Sequence, residues 1–300
     1  MVDVTVLDGG MGRELLRIGA PFRQPEWSAL ALTEGPDQVT QAHANFIEAG
    51  AQVITTNSYA IVPFHIGEQR FANEALELAA LSGRLARRAA TSAPQSVLVA
   101  GSLPPLFGSY QPELFDASEA PRIIDPLVAG LAEHVDVWLG ETLGSIAEAC
   151  AVRDALDRGE FAGRPLWISY TLDDSGSLRS GEPVADAVAA ALDLGAEAIM
   201  FNCCQAETIA GAIGIAVARA DGSAAVGGYA NRFVTPTTSS SVATSGGANQ
   251  GVSTLRDDLD PQDYCEFVER WLDAGATVVG GCCGIEPAHI ARIAALVSHR

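Results

Sequence analysis

The sequence predicts an α/β fold, a (β/α)8 barrel, on three observations. Eight short runs rich in Val, Ile and Ala recur along the chain, eight longer stretches of helical character lie between them, and polar or thiol residues close most of the runs. Runs that are apolar throughout are strands buried on both faces, the mark of a parallel sheet covered by helices. Eight such units in 300 residues suit a closed barrel.

Taken in order, the first strand is expected over Val4 to Asp8, and an amphipathic helix from Asp37 to Ala49 leads to the second, Gln52 to Thr56. Thr33 and Asp37 are expected to mark that helix start. An Ala- and Leu-rich helix, Glu68 to Thr91, precedes the third strand, Ser96 to Gly101. Ser118 to Glu133 and Val135 to Glu141 supply the next helix and strand. Ser145-x-x-Glu148 ahead of an apolar stretch is a capping box and opens a helix that ends at Asp157. The fifth and sixth strands, Pro165 to Thr171 and Ala196 to Cys203, flank a helix over Val184 to Leu194. Glu207 to Ala220 then leads to Ala224 to Tyr229, and Pro261 to Ala274 to the last strand, Ala276 to Cys283. Pro287 to His299 closes the series.

Thr235 to Gly251, full of Ser, Thr and Gly, reads as a long loop after the seventh strand. No composition shift marks a boundary, so residues 1–300 are expected to form one barrel domain. A doubly wound open sheet is the alternative, but Gly9-Gly10-Met11-Gly12 lacks the G-x-G-x-x-G spacing such a fold carries after its first strand.

Composition narrows the chemistry. The formal net charge is −19 and all 18 basic residues are arginine. Without lysine there is no Schiff base, no pyridoxal-phosphate lysine and no P-loop lysine, since each needs a side-chain primary amine. An acidic surface repels phosphate backbones and anionic lipid, so neither nucleic acid nor a membrane is an expected partner. No apolar run has the length of a membrane span, and Met1 to Asp8 lacks a basic, apolar secretory head. A cytoplasmic location is expected.

In a barrel of this kind the active site forms at the carboxyl ends of the strands. Those ends read Asp8-Gly9-Gly10, Thr55-Thr56-Asn57-Ser58-Tyr59, Gly101-Ser102-Leu103-Pro104-Pro105, Gly140-Glu141-Thr142, Asn202-Cys203-Cys204, Tyr229-Ala230-Asn231 and Gly280-Gly281-Cys282-Cys283-Gly284. Two adjacent cysteine pairs thus fall on one rim although they lie far apart in sequence. Thiolates converging there make a soft-ligand site suited to zinc. Neighbours in a strand point to opposite sides, so one of Cys203 and Cys204 should face the site, while the glycines around Cys282 and Cys283 let both turn inward. Three thiolates leave the open fourth position of a catalytic zinc. Cys150 and Cys265 read as buried apolar residues.

Together, Asp8-Gly9-Gly10-Met11-Gly12, Gly101-Ser102-Leu103-Pro104-Pro105, Glu141-Thr142, Asn202-Cys203 and Gly280-Gly281-Cys282-Cys283-Gly284 resemble, over nearly the whole chain, the homocysteine S-methyltransferase family. That family includes betaine-homocysteine methyltransferase and the homocysteine module of cobalamin-dependent methionine synthase. The resemblance implies zinc on Cys203, Cys282 and Cys283, with Cys204 outside the ligand set. It also implies methyl transfer from an onium donor to the thiol of homocysteine, giving methionine.

A free thiol is mostly protonated at neutral pH, and zinc would take the substrate sulfur as fourth ligand and hold it as thiolate. Asp8 and Glu141 suit the substrate's ammonium group, and the N–H groups of Gly9 and Gly10 its carboxylate. Asn57, Tyr59 and Asn231 are expected to line the pocket, and Tyr59 and Phe64 could offer ring faces to a cationic donor. The segment after the seventh strand, Tyr229-Ala230-Asn231-Arg232-Phe233, departs from the family's usual Pro-Asn, which leaves the donor open. S-methylmethionine is favoured; S-adenosylmethionine, betaine and other onium compounds are alternatives. The expected partners are therefore small molecules, with a monomer or small homo-oligomer as the assembly. Two other readings stand beside this one: methyl transfer to a different thiol, and a cysteine-based redox or sensing barrel.

Overall fold

The structure is a computed structural model in which residues 3–21, 23, 26, 28–159, 161, 163–234 and 254–300 are described. The loop expected at 235–251 lies outside the described residues.

Eight parallel strands form one sheet: β1 (Thr5–Val6), β2 (Val53–Thr55), β3 (Leu98–Leu103), β4 (Val137–Leu143), β5 (Leu166–Tyr170), β6 (Ala198–Asn202), β7 (Ala225–Tyr229) and β8 (Val278–Val279). Their order is β1-β8-β7-β6-β5-β4-β3-β2, and a parallel bridge from Leu7 to Val53 brings the two ends of the sheet together. This is the barrel the eight apolar runs predicted. At the seam Thr5 lies opposite Val278 and Val6 opposite Val279.

The two-residue period of each strand sorts its side chains. Ala100, Val137, Leu139, Ala198, Met200, Tyr229 and Val278 fill the barrel interior with Leu7 and Val53. The alternate residues Val99, Trp138, Ile168, Ile199 and Phe201 join the larger layer under the helices. Continuing the inward register up the strands brings Ser102 above Ala100, Glu141 above Leu139 and Asn202 above Met200. The period that builds the core thereby aims three polar side chains at the carboxyl rim.

All eight expected helices form, from α3 (Pro36–Glu48) to α11 (Pro287–Ser298). Three more, α1 (Met11–Arg17), α2 (Ala29–Glu34) and α4 (Pro63–Ile66), were not expected, each being too short to display a period. Thr33 is a correction. It sits near the end of α2 with its hydroxyl donating to Leu30 O, and α3 starts after Gly35 with Pro36 in its first turn. The capping box holds: Ser145 Oγ accepts from Glu148 N, and the Glu148 carboxylate accepts from the backbone N–H of Ser145 and Gly144. Among the described residues, no helix is long and apolar enough to cross a membrane.

Candidate active site

The carboxyl ends of the strands enclose a cavity lined by Asp8, Glu141, Cys203, Cys282 and Cys283 among others. Its floor is set by backbone contacts between the first and last strands. Asp8 O accepts from Gly281 N at 3.0 Å and Gly10 N donates to Ile285 O at 2.8 Å. A Cβ on Gly281 would lie 2.1 Å from Ile285 Cγ2, and one on Gly10 would lie 2.7 Å from Cys282 O. Only glycine lets these segments close on each other. Beyond them Gly284, at φ +84°, turns the chain back, and Ile285 N reaches Cys282 O at 3.0 Å.

That turn delivers both sulfurs of the second cysteine pair. The Sγ atoms of Cys203, Cys282 and Cys283 lie within 4.8 Å of one another, with Cys203 and Cys283 at 3.8 Å. Thiolates about 2.3 Å from a tetrahedral metal stand about 3.8 Å apart, so the spacing fits a metal ion with one position left for another ligand. Cys204 turns away into the apolar layer, where burial pushes its thiol up to about 11. Cys203 itself takes a left-handed backbone, φ +51°, which is how consecutive cysteines at a strand end part company. Hydrogen bonds from Cys282 and then Cys283 hold the Cys203 thiol well below its ordinary value. Cys150 and Cys265 lie outside it, on α7 (Ile146–Arg158) and α10 (Pro261–Asp273).

Two carboxyl groups face the same cavity. Asp8 accepts from Thr55 N at 2.8 Å and from the Thr55 hydroxyl, yet burial pushes its pKa up to about 8, with the nearby Glu141 charge adding to the shift. Glu141 accepts from the Ser102 hydroxyl and, at 3.4 Å, from the Tyr229 hydroxyl. Burial again dominates, raising it to about 7. Two desolvated carboxyls facing one cavity suit a cation between them, since buried charge needs a partner.

The other expected residues are placed unevenly. Asn57 lines the cavity wall, its Nδ2 donating to Ser28 O at 2.9 Å. Asn231 sits beside the sulfur cluster, Nδ2 4.0 Å from Cys203 Sγ. The Gly9 N–H makes no hydrogen bond among the described residues, whereas the Gly10 N–H is already taken by Ile285 O and is closed to a ligand. Tyr59 lines the cavity with its hydroxyl on Ser109 Oγ at 2.8 Å. Phe64 does not reach it and packs on His65 and the core.

Sequence reading missed the groups that brace these residues. Asn202 Oδ1 accepts from Thr142 N at 2.9 Å and from Ser169 Oγ at 2.7 Å, while its Nδ2 donates to Thr142 Oγ1 at 2.8 Å. That clamp holds Thr142 at φ +60°, directly after Glu141. Tyr110, in the loop after β3, was also missed, although its hydroxyl lies 3.0 Å from Cys203 Sγ. Its one signal was an aromatic residue in a polar stretch following a strand end.

Residues 5–297 match the homocysteine S-methyltransferase family. The chain belongs to that family. Homocysteine S-methyltransferase of Escherichia coli strain K12 is 30% identical over 319 residues, covering 98% of this chain and 95% of the relative. Selenocysteine Se-methyltransferase of Brassica oleracea var. italica is 28% identical, covering 98% and 89%. Among solved structures, the metallated form of the homocysteine methyltransferase MmuM from Escherichia coli superposes on this family member with a TM-score of 0.79 at 26% identity, over 98% of this chain and 96% of that one.

Proposed function

We propose that residues 1–300 act as one homocysteine-binding barrel domain that moves a methyl group from an onium donor, S-methylmethionine before others, to the thiol of L-homocysteine, giving methionine. The observation that carries this reading is the convergence of three thiols with the spacing of a tetrahedral metal site beside two desolvated carboxyl groups. Zinc is the metal we assign to Cys203, Cys282 and Cys283; when bound it would supply a Lewis acid that keeps the acceptor sulfur as thiolate at neutral pH. Three cysteinates and no carboxylate or imidazole in the set favour a soft ion.

The chain's own groups do the rest. Asp8 and Glu141 receive the ammonium group of homocysteine, and the Gly9 N–H receives its carboxylate. Asn57 shapes the wall against which the substrate lies, and Asn231 faces the sulfur cluster. The Tyr59 ring offers an apolar, electron-rich face to a cationic donor. These substrates are small molecules, consistent with a protein that works as a monomer or small homo-oligomer in the cytoplasm.

The selenocysteine relative gives specific support to a second acceptor class, so selenols belong in the test. The experiment is a panel of S-methylmethionine, S-adenosylmethionine and betaine against homocysteine and selenocysteine, with the methylated product measured at fixed zinc. Protein purified under reducing conditions should carry about one zinc per chain, lost in Cys283→Ala. Full activity in metal-free protein would overturn the zinc assignment, and no product with any pair would overturn methyl transfer and favour a redox barrel.

A further inference from the structure

We propose that Tyr110 is a positioning residue that deactivates one of the cluster's own sulfurs, so that the methyl group goes to the acceptor and not to the protein. The inference rests on the reading above. A site built from three cysteinates shows an incoming electrophile protein sulfurs of the same chemical kind as the acceptor's. Attack by Cys203 would form a bond from its Sγ electron pair to the methyl carbon while the donor's carbon–sulfur bond breaks, its pair leaving on a neutral sulfide. The product is a thioether at Cys203, which has lost its charge and with it most of its value as a ligand.

Three observations place Tyr110 against that side reaction. Its hydroxyl is 3.0 Å from Cys203 Sγ, and toward a thiolate, which can only accept, it must be the donor. Its backbone is left-handed, φ +64°, an uncommon state for a bulky residue, and the side chain belongs to neither apolar cluster of the fold. Strain of this kind persists where it sets a functional geometry. The Arg179 guanidinium, 5.2 Å from the ring centroid, holds the ring from outside the cavity.

A donated hydrogen bond stabilises a thiolate and lowers its nucleophilicity. The other two sulfurs have different neighbours: Asn202 Nδ2 lies 3.9 Å from Cys282 Sγ, and Cys283 lies in the field of the Arg13 guanidinium. Asn231 Nδ2 also lies 4.0 Å from Cys203 Sγ, so of the two donors that reach this sulfur Tyr110 is the shorter and stronger one. A hydrogen bond to a charged group, with about half its strength expressed in the transition state, slows attack about three- to tenfold.

The test uses zinc-loaded wild type, Tyr110→Phe and, as control, Tyr59→Phe, whose hydroxyl bonds Ser109 instead. Each is treated with methyl iodide in the absence of acceptor, and methylation of the peptides carrying Cys203 and Cys282-Cys283 is followed by mass spectrometry. Tyr110→Phe should gain methyl at Cys203 about three- to tenfold faster than wild type, with Cys282 and Cys283 unchanged and Tyr59→Phe like wild type. In cobalt-substituted protein the sulfur-to-metal charge-transfer bands should shift in Tyr110→Phe alone. A wild-type rate at Cys203, an equal rise in Tyr59→Phe, or unshifted bands in Tyr110→Phe would overturn the inference. Methyl iodide needs no donor pocket. Failure of the methyl-transfer reading therefore shows in the homocysteine panel, and failure of this inference shows in the labelling of Cys203.

Discussion

Asp8→Asn removes a charge while leaving size and an acceptor for Thr55 in place, so it isolates the ionisation of one carboxyl. With its pKa near 8, Asp8 is mostly protonated at pH 7, and an ammonium ion gains its attraction only after the proton leaves. Affinity scales with the fraction in the competent state. Raising the pH from 7 to 8 lifts the ionised fraction of Asp8 about fivefold and that of Glu141, with a pKa about 7, about twofold. Homocysteine Kd in zinc-loaded protein, measured by calorimetry at the two pH values, should therefore improve about fivefold more in wild type than in Asp8→Asn. The thiol's own titration is common to both proteins and cancels in that ratio. Equal pH dependence in the two would refute the role given to Asp8. The ligand-free protein shows the opposite trend. Burial raises this carboxyl above its unfolded value of 3.8, so its stabilising contribution is complete below that pH and is lost as pH rises through about 8. Over that window wild type should lose stability to urea relative to Asp8→Asn.

Two further changes probe the frame of the site. Asn202→Ala leaves the Thr142 N–H and the Thr142 and Ser169 hydroxyls without their buried partner, and should cost about 3 kcal/mol in urea unfolding together with a weaker homocysteine Kd. Glu148→Ala strips the acceptor from Gly144 N and Ser145 N at the start of α7 and should cost about 1–2 kcal/mol, with zinc content retained.

The sequence made the barrel legible because each strand is buried on both faces and each main helix is long enough to show its period. Ile199 and Phe201 against the helices and Ala198 and Met200 in the barrel are equally apolar, and that continuity is itself the signal. Short helices such as Pro63–Ile66 span about one turn and have no period to read. The sulfur site was legible because its residue type is rare and its glycines stand beside it. What escaped was the conformation around it. Nothing in the order of residues announces that Thr142 and Tyr110 take left-handed backbones, or that Ser102 on a neighbouring strand meets Glu141. Nor does the order of residues announce that Ile285 O takes the Gly10 N–H.

The seam between β1 and β8 bears on the order of assembly during synthesis. Cys203 leaves the ribosome long before Cys282 and Cys283, and the turn that aims them is fixed only when Asp8 O and Gly10 N engage Gly281 and Ile285. Metal capture at the proposed site would thus wait for contacts between β1 and β8, elements far apart in sequence and slow to meet. Metal loading of the proposed site would report a finished barrel, and a nascent chain stalled before β8 would present Cys203 without Cys282 and Cys283.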